Sequence, residues 1–159
     1  MNKKIILLNL LLVLFVINGL VWQKEQILAS GQLILLPLAP VDPRSLMQGD
    51  YMILRYSMAR KVDNERGTED NGKVVITIND KDVASFNRLW NGENLQKGEH
   101  LLRYRYRNHK VRFGAESFFF QEGKRPLFDK ARYGELRLAK DGDAVLVGLR
   151  DEKLQKLGE

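Results

Sequence analysis

The chain opens on a continuous apolar run and then changes character. Ile5 to Trp22 reads IILLNLLLVLFVINGLVW, in which fifteen of eighteen residues are apolar and only Asn9, Asn18 and Gly19 interrupt. As a helix rising about 1.5 Å per residue, the run spans roughly 27 Å, enough for a bilayer core. The pattern predicts a transmembrane anchor over residues 1–22 and an outer domain over residues 23–159. A cleaved signal peptide fits less well, because its apolar region is about 7–15 residues long and ends at a small-residue cleavage site. Here the run continues into Val21 and Trp22, and the nearest small cluster, Ala29-Ser30-Gly31, lies well beyond it. Lys3 and Lys4 precede the run, whereas Lys24 on the far side is offset by Glu25. The excess of basic residues puts the N-terminus in the cytoplasm and the remainder outside. Asn9 and Asn18 fall on opposite faces of such a helix and cannot serve one partner helix in the same way.

Beyond the anchor the pattern is strand-like. Short apolar or alternating runs cover residues 32–38, 51–56, 73–78, 83–90, 101–107, 111–120, 134–139 and 144–149. Asn79-Asp80, Asn108-His109 and Asp141-Gly142 mark turns between neighbours. Lys61 to Gly72 (KVDNERGTEDNG) is polar and predicts an exposed loop. The tail after Arg150 predicts one helical turn or a frayed end. The fold expected is mainly β, a transmembrane helix followed by one rolled-sheet or partly open β-barrel domain of seven to nine short strands.

Composition narrows the chemistry. The sequence has no Cys and two His, which excludes a thiol nucleophile, a disulfide scaffold and a Cys-based zinc site. His100 and His109 stand far from obvious carboxylate ligands, so no metal is expected. Glycines are spread singly, without a phosphate-binding loop, so no nucleotide cofactor is expected. The net charge is +6, and Lys3 and Lys4 belong to the anchor, leaving an outer domain that is only mildly basic.

The densest local motif is Gly49-Asp50-Tyr51-Met52-Ile53-Leu54-Arg55-Tyr56, preceded by Pro40-Val41-Asp42-Pro43-Arg44. Gly49 and Asp50 read as a turn feeding a strand, with Tyr51, Leu54 and Tyr56 as scaffold. A second block, Phe113-Gly114-Ala115-Glu116-Ser117-Phe118-Phe119-Phe120-Gln121-Glu122-Gly123, lies downstream. Together these blocks resemble the bacterial GDYxxLxY protein family, whose fixed positions are all present at Gly49, Asp50, Tyr51, Leu54 and Tyr56. The second block carries the family's Gly114 and Gly123, with Gln121 where the family tends to have Pro. The resemblance implies a membrane-anchored bacterial protein of a kind often encoded beside multi-span membrane proteins, hence an inner-membrane location, a periplasmic domain and a membrane partner.

A weaker similarity links the Leu46–Asp50 stretch to the signal peptidase β domain. Aligning Gly49-Asp50 with that family's Gly-Asp puts Val41 at the nucleophile position, and Val41 has no hydroxyl. A displaced nucleophile would have to be Ser45, with Lys61 or Lys73 as base. Glu116 and Glu122, six apart, would share one face of an extended strand, and Asp50 could approach them as an acid/base pair. The competing expectation is that they pair with Arg112, Lys124 or Arg125. Arg103-Tyr104-Arg105-Tyr106-Arg107 alternates with a period of two, which sets three Arg against two Tyr on opposite faces. That separation disfavours nucleic acid; the expectation is an amphipathic strand, with contact to anionic lipid or another polyanion as the alternative. Phe118 to Phe120 predicts core burial or a docking patch.

The function expected is non-catalytic: a binding or assembly protein, an accessory subunit of a membrane complex. Arg44, Asp50, Glu116 and Glu122 are its candidate contact residues. The alternatives are a Ser/Lys peptidase or other hydrolase, and lipid or polyanion binding.

Overall fold

A computed structural model describes residues 3–39, 47, 48, 51–65, 67 and 69–158. Helix α1 (Lys3–Ser30) is long and apolar enough to cross a membrane. It outlasts the apolar run: no Pro or helix-breaking pair follows Trp22, and the helix continues for two further turns. Side chains from Lys3 to Gln26 are exposed, and Ile27 is buried in the outer domain. Gly31 closes the helix, its N–H donating to the Ile27 carbonyl at 2.9 Å. Asn18 Nδ2 donates to the Leu14 carbonyl at 2.8 Å, so this amide bonds within its own helix.

Ten strands follow among the described residues: β1 (Gln32–Pro37), β2 (Met47–Gln48), β3 (Tyr51–Ile53), β4 (Asn71–Ile78), β5 (Ala84–Leu89), β6 (Glu99–Arg107), β7 (Lys110–Arg112), β8 (Ser117–Phe119), β9 (Tyr133–Leu138) and β10 (Ala144–Arg150). Two short helices interrupt them, α2 (Ala59–Glu65) and α3 (Arg125–Phe128). The strands form three sheets, ordered β1-β9-β10, β2-β3-β8 and β5-β4-β6-β7. Isolated bridges join them: Leu35 to Val83, and Leu38 to Tyr56. The Gly142 carbonyl also accepts from the Arg103 N–H at 2.8 Å, tying the β9–β10 hairpin to β6. The result is the rolled, mainly β domain that the alternation predicts, closed over a core that includes Ile34, Leu36, Val74, Ile76, Leu102, Tyr104, Leu136 and Leu149.

Local chemistry explains the turns. Asn108 and His109 both take positive φ, as a two-residue hairpin between β6 and β7 requires. Asn79 Oδ1 accepts from the N–H groups of Lys81 and Val83, shaping the β4–β5 turn. Gly72 sits opposite Tyr104 in the β4–β6 ladder, and the buried Tyr104 ring lies flat over it. A Cβ there would come within 2.7 Å of that ring.

Three expectations are corrected. Lys61 to Gly72 is not one exposed loop. Its first residues belong to α2, which buries Val62 beneath polar neighbours, and its last two open β4. A single apolar residue per turn is too weak a pattern to announce a seven-residue helix. Residues 111–120 are not one strand. Gly114 turns the chain at φ +81°, and β7 and β8 enter different sheets. The tail forms no helical turn. It folds back on β10, with the Leu157 N–H donating to the Leu149 carbonyl at 2.9 Å.

Two predictions follow from this packing. Gly72→Ala should lower stability by about 1–3 kcal/mol, because the buried Tyr104 ring has nowhere to move; denaturant unfolding of the full-length protein in detergent checks it. The second concerns Glu99, which accepts from the Arg88 guanidinium, from Asn87 Nδ2 and from the Gln96 N–H. Arg88 foremost, then the Gln96 N–H, hold its carboxyl below the usual range. A depressed folded pKa contributes stability above the unfolded pKa and loses it as pH falls through the folded value. Glu99→Gln should therefore be less stable than the parent at neutral pH, with the difference vanishing on acidification below about pH 4. Thermal melting of both proteins across pH checks it.

Candidate functional site

The two blocks that carry the sequence resemblance are neighbours in space. Strand β3 runs antiparallel to β8, pairing Tyr51 with Phe119, Met52 with Phe118 and Ile53 with Ser117. Beyond the ladder the Leu54 N–H donates to the Glu116 carbonyl at 2.7 Å, and Leu54 is buried. The Tyr56 hydroxyl donates to the Ala115 carbonyl at 2.5 Å, and its ring meets Phe113 edge-on at 5.8 Å. That ring also lies over Gly134 of β9, where a Cβ would come within 3.0 Å of it. Burial first, and then the Glu116 carboxylate, push the Tyr56 hydroxyl well above its ordinary pKa. It stays a protonated donor.

A family model described as GDYXXLXY protein matches residues 13–149. The chain belongs to the GDYXXLXY protein family. No curated protein and no solved structure matches it. In this member the Tyr51, Leu54 and Tyr56 positions of the signature are spent on joining the first block to the second. Gly49 and Asp50, and Arg44 and Ser45 upstream, lie outside the described residues.

The remaining candidates fall in turns. Glu116 is not on a strand. Its carboxylate accepts from the N–H groups of Phe113 and Gly114, the latter at 3.1 Å, and this cap is what separates β7 from β8. Glu122 stands exposed in the turn after β8, where Gly123 takes φ +80°. The expected common strand face is therefore absent, because the extended geometry it needs is broken at both residues. The expected ion pairing of Glu116 is likewise replaced by its two backbone donors. Lys61 is exposed on α2, and Lys73 lies over the Trp90 ring at 5.2 Å. Among the described residues no group of His, Asp and Glu could hold a metal ion. The three phenylalanines divide: Phe118 and Phe120 pack on Phe128 at 5.1 and 5.3 Å, while Phe119 is 74% exposed beside Tyr51.

The site that stands out is basic. A cleft of about 510 Å³ is lined by Lys24 of α1, by Arg103, Arg105 and Arg107 of β6 and by Arg112 of β7, with Glu116 and Asp143 as its acids. Both acids are already engaged, Glu116 by backbone donors and Asp143 by Arg103, whose Nε lies 2.9 Å away. That Arg103 Nε is an ion-pair partner by distance only. Its N–H is not directed at the carboxylate, and the buried atom has no hydrogen-bond acceptor. Gly142, at φ +96°, lets the hairpin loop approach the β6 backbone and sets Asp143 there. The alternation of residues 103–107 predicts the arginine face. With the Asn108-His109 turn it also sets Arg112 opposite Arg105, but it does not reveal that Lys24 joins them.

Sequence pattern also misses a buried pair. Glu135 is buried on β9, its Oε2 accepting from Arg150 Nε at 2.8 Å. The strand neighbour opposite it is Gly148, which leaves room for the carboxylate. Only the register discloses this.

Removing the hydroxyl that joins the two blocks should be costly. Tyr56→Phe leaves the Ala115 carbonyl without its donor and is expected to destabilise the domain by about 1–3 kcal/mol with the fold retained. Denaturant unfolding followed by near-ultraviolet circular dichroism checks it.

Proposed function

We propose that the protein is a single-pass inner-membrane protein whose periplasmic β domain binds or assembles with a multi-span membrane partner and has no catalytic role of its own. The observation that carries this reading is the junction between helix and domain. Ile27, five residues past the apolar run, is already buried in the domain. Arg137 Nη1 donates to the Gly31 carbonyl at 3.2 Å, and β1 starts at the next residue. A helix that enters the sheet without a flexible linker fixes the domain's orientation at the bilayer surface, which suits a docking part better than a roaming enzyme. Lys3 and Lys4 support a cytoplasmic N-terminus.

Two features suit a partner. The membrane helix is exposed along its whole apolar length. Phe119 presents an exposed ring on the edge strand β8. The signature tyrosines and leucine serve as scaffold, which supports a binding role over a hydrolytic one.

Full-length protein purified from native membranes in mild detergent should bring with it a stoichiometric multi-span protein. Phe119→Asp should reduce that recovery about tenfold or more without lowering the melting temperature, since the ring is exposed. A parent protein that purifies alone would refute the accessory role.

A further inference from the structure

The basic cleft has a property that protein packing alone does not explain. In the β6–β7 ladder Arg105 stands directly opposite Arg112, and Arg107 opposite Lys110. In the β4–β6 ladder Lys73 stands opposite Arg103. Like charges at directly opposed positions weaken a sheet. At the Lys73–Arg103 position the fold relieves this. Arg103 has Asp143, and Lys73 has the Trp90 ring. Arg107 donates to the Tyr106 carbonyl at 2.7 Å but, like Lys110, has no carboxylate partner among the described residues. Arg105 and Arg112 have no carboxylate partner among the described residues, and both side chains are exposed in the cleft. An anion seated between them would turn the repulsion into a pair of charge-assisted hydrogen bonds.

The position of the cleft indicates which anion. Lys24 lines it, and Lys24 is two residues beyond Trp22, the end of the apolar run. Two helical residues rise about 3 Å. The headgroup layer on each side of the hydrocarbon core is about 5–8 Å thick. The cleft therefore opens within the layer of lipid phosphates, and α1 holds it at that depth because the helix passes into the domain without a linker.

We infer that the cleft formed by Lys24, Arg105, Arg107 and Arg112 binds the phosphate headgroup of an anionic phospholipid in the leaflet from which α1 emerges. The guanidinium groups of Arg105 and Arg112 clamp the phosphate from two strands, and Lys24 approaches it from the helix. This site is independent of the partner surface at Phe119. Either can fail alone.

The test uses full-length protein in a neutral detergent, titrated with phosphatidylglycerol, with phosphatidylcholine, or with inorganic phosphate, and followed by thermal melting. Phosphatidylglycerol should raise the melting temperature by about 4 °C, less at high salt, and phosphatidylcholine should not. Arg105→Gln with Arg112→Gln should abolish that rise. Without lipid the double variant should melt no lower than the parent, because the cross-strand repulsion is gone; this separates a binding role from a merely structural one. Lys81→Gln, in the β4–β5 turn, should keep the full rise. Equal shifts with both lipids, a shift that survives in the double variant, or a double variant that melts well below the parent without lipid would overturn the inference. A full shift from inorganic phosphate alone would overturn the lipid as the source of the anion.

Discussion

One hydrogen bond shows what holds the outer domain in its shape. The Tyr56 hydroxyl donates to the Ala115 carbonyl across 59 positions of chain. With the Leu54 N–H bonded to the Glu116 carbonyl, it extends the β3–β8 ladder past its last paired strand residues. Buried backbone carbonyls need a donor, and a turn such as 113–116 cannot supply its own. The Tyr56 ring also covers Gly134 of β9, and the Tyr56 backbone forms a β-bridge with Leu38, so this residue ties the β3–β8 ladder to the β1-β9-β10 sheet. Much of the rest depends on it: the turn that separates β7 from β8, the position of the Glu116 cap, and hence one wall of the basic cleft.

The second constraint is the passage from membrane to domain. A helix ending in a flexible tether would leave the domain free to sample any orientation. Here Ile27 is already buried five residues after Trp22, the end of the apolar run, and Gly31 ends the helix one residue before β1. The helix is thus part of the domain's structure and not a tether to it.

The cleft also shows a local conflict between stability and binding. Opposed arginines at the β6–β7 ladder are poor sheet chemistry, while the opposed Arg103 and Lys73 have Asp143 and the Trp90 ring beside them. Natural sequences are locally consistent except where function intervenes. The pair Arg105 and Arg112, with Arg107 and Lys110 beyond it, is where the β6–β7 ladder departs from that consistency.

Much of the fold was legible in the sequence because it is encoded locally. The apolar run declared α1, period-two alternation declared β6, and Asn108-His109 and Asp141-Gly142 declared their hairpins through backbone conformations that few residues favour. The resemblance of two blocks to one family was legible too, as a pattern of fixed positions. Their pairing was not, since nothing local in Tyr56 names Ala115 as its acceptor. Helix α2 was hidden because one buried valine gives no period. Glu116 was misplaced on a strand because its role, capping two N–H groups, exists only once Gly114 has turned the chain. Glu135 was invisible because its burial depends on Gly148 standing opposite it. The sequence by itself determined the anchor, the mainly β class and the arginine face. Tertiary structure alone decided that Lys24 joins that face, because helix docking brings it to charges that no spacing along the chain relates to it.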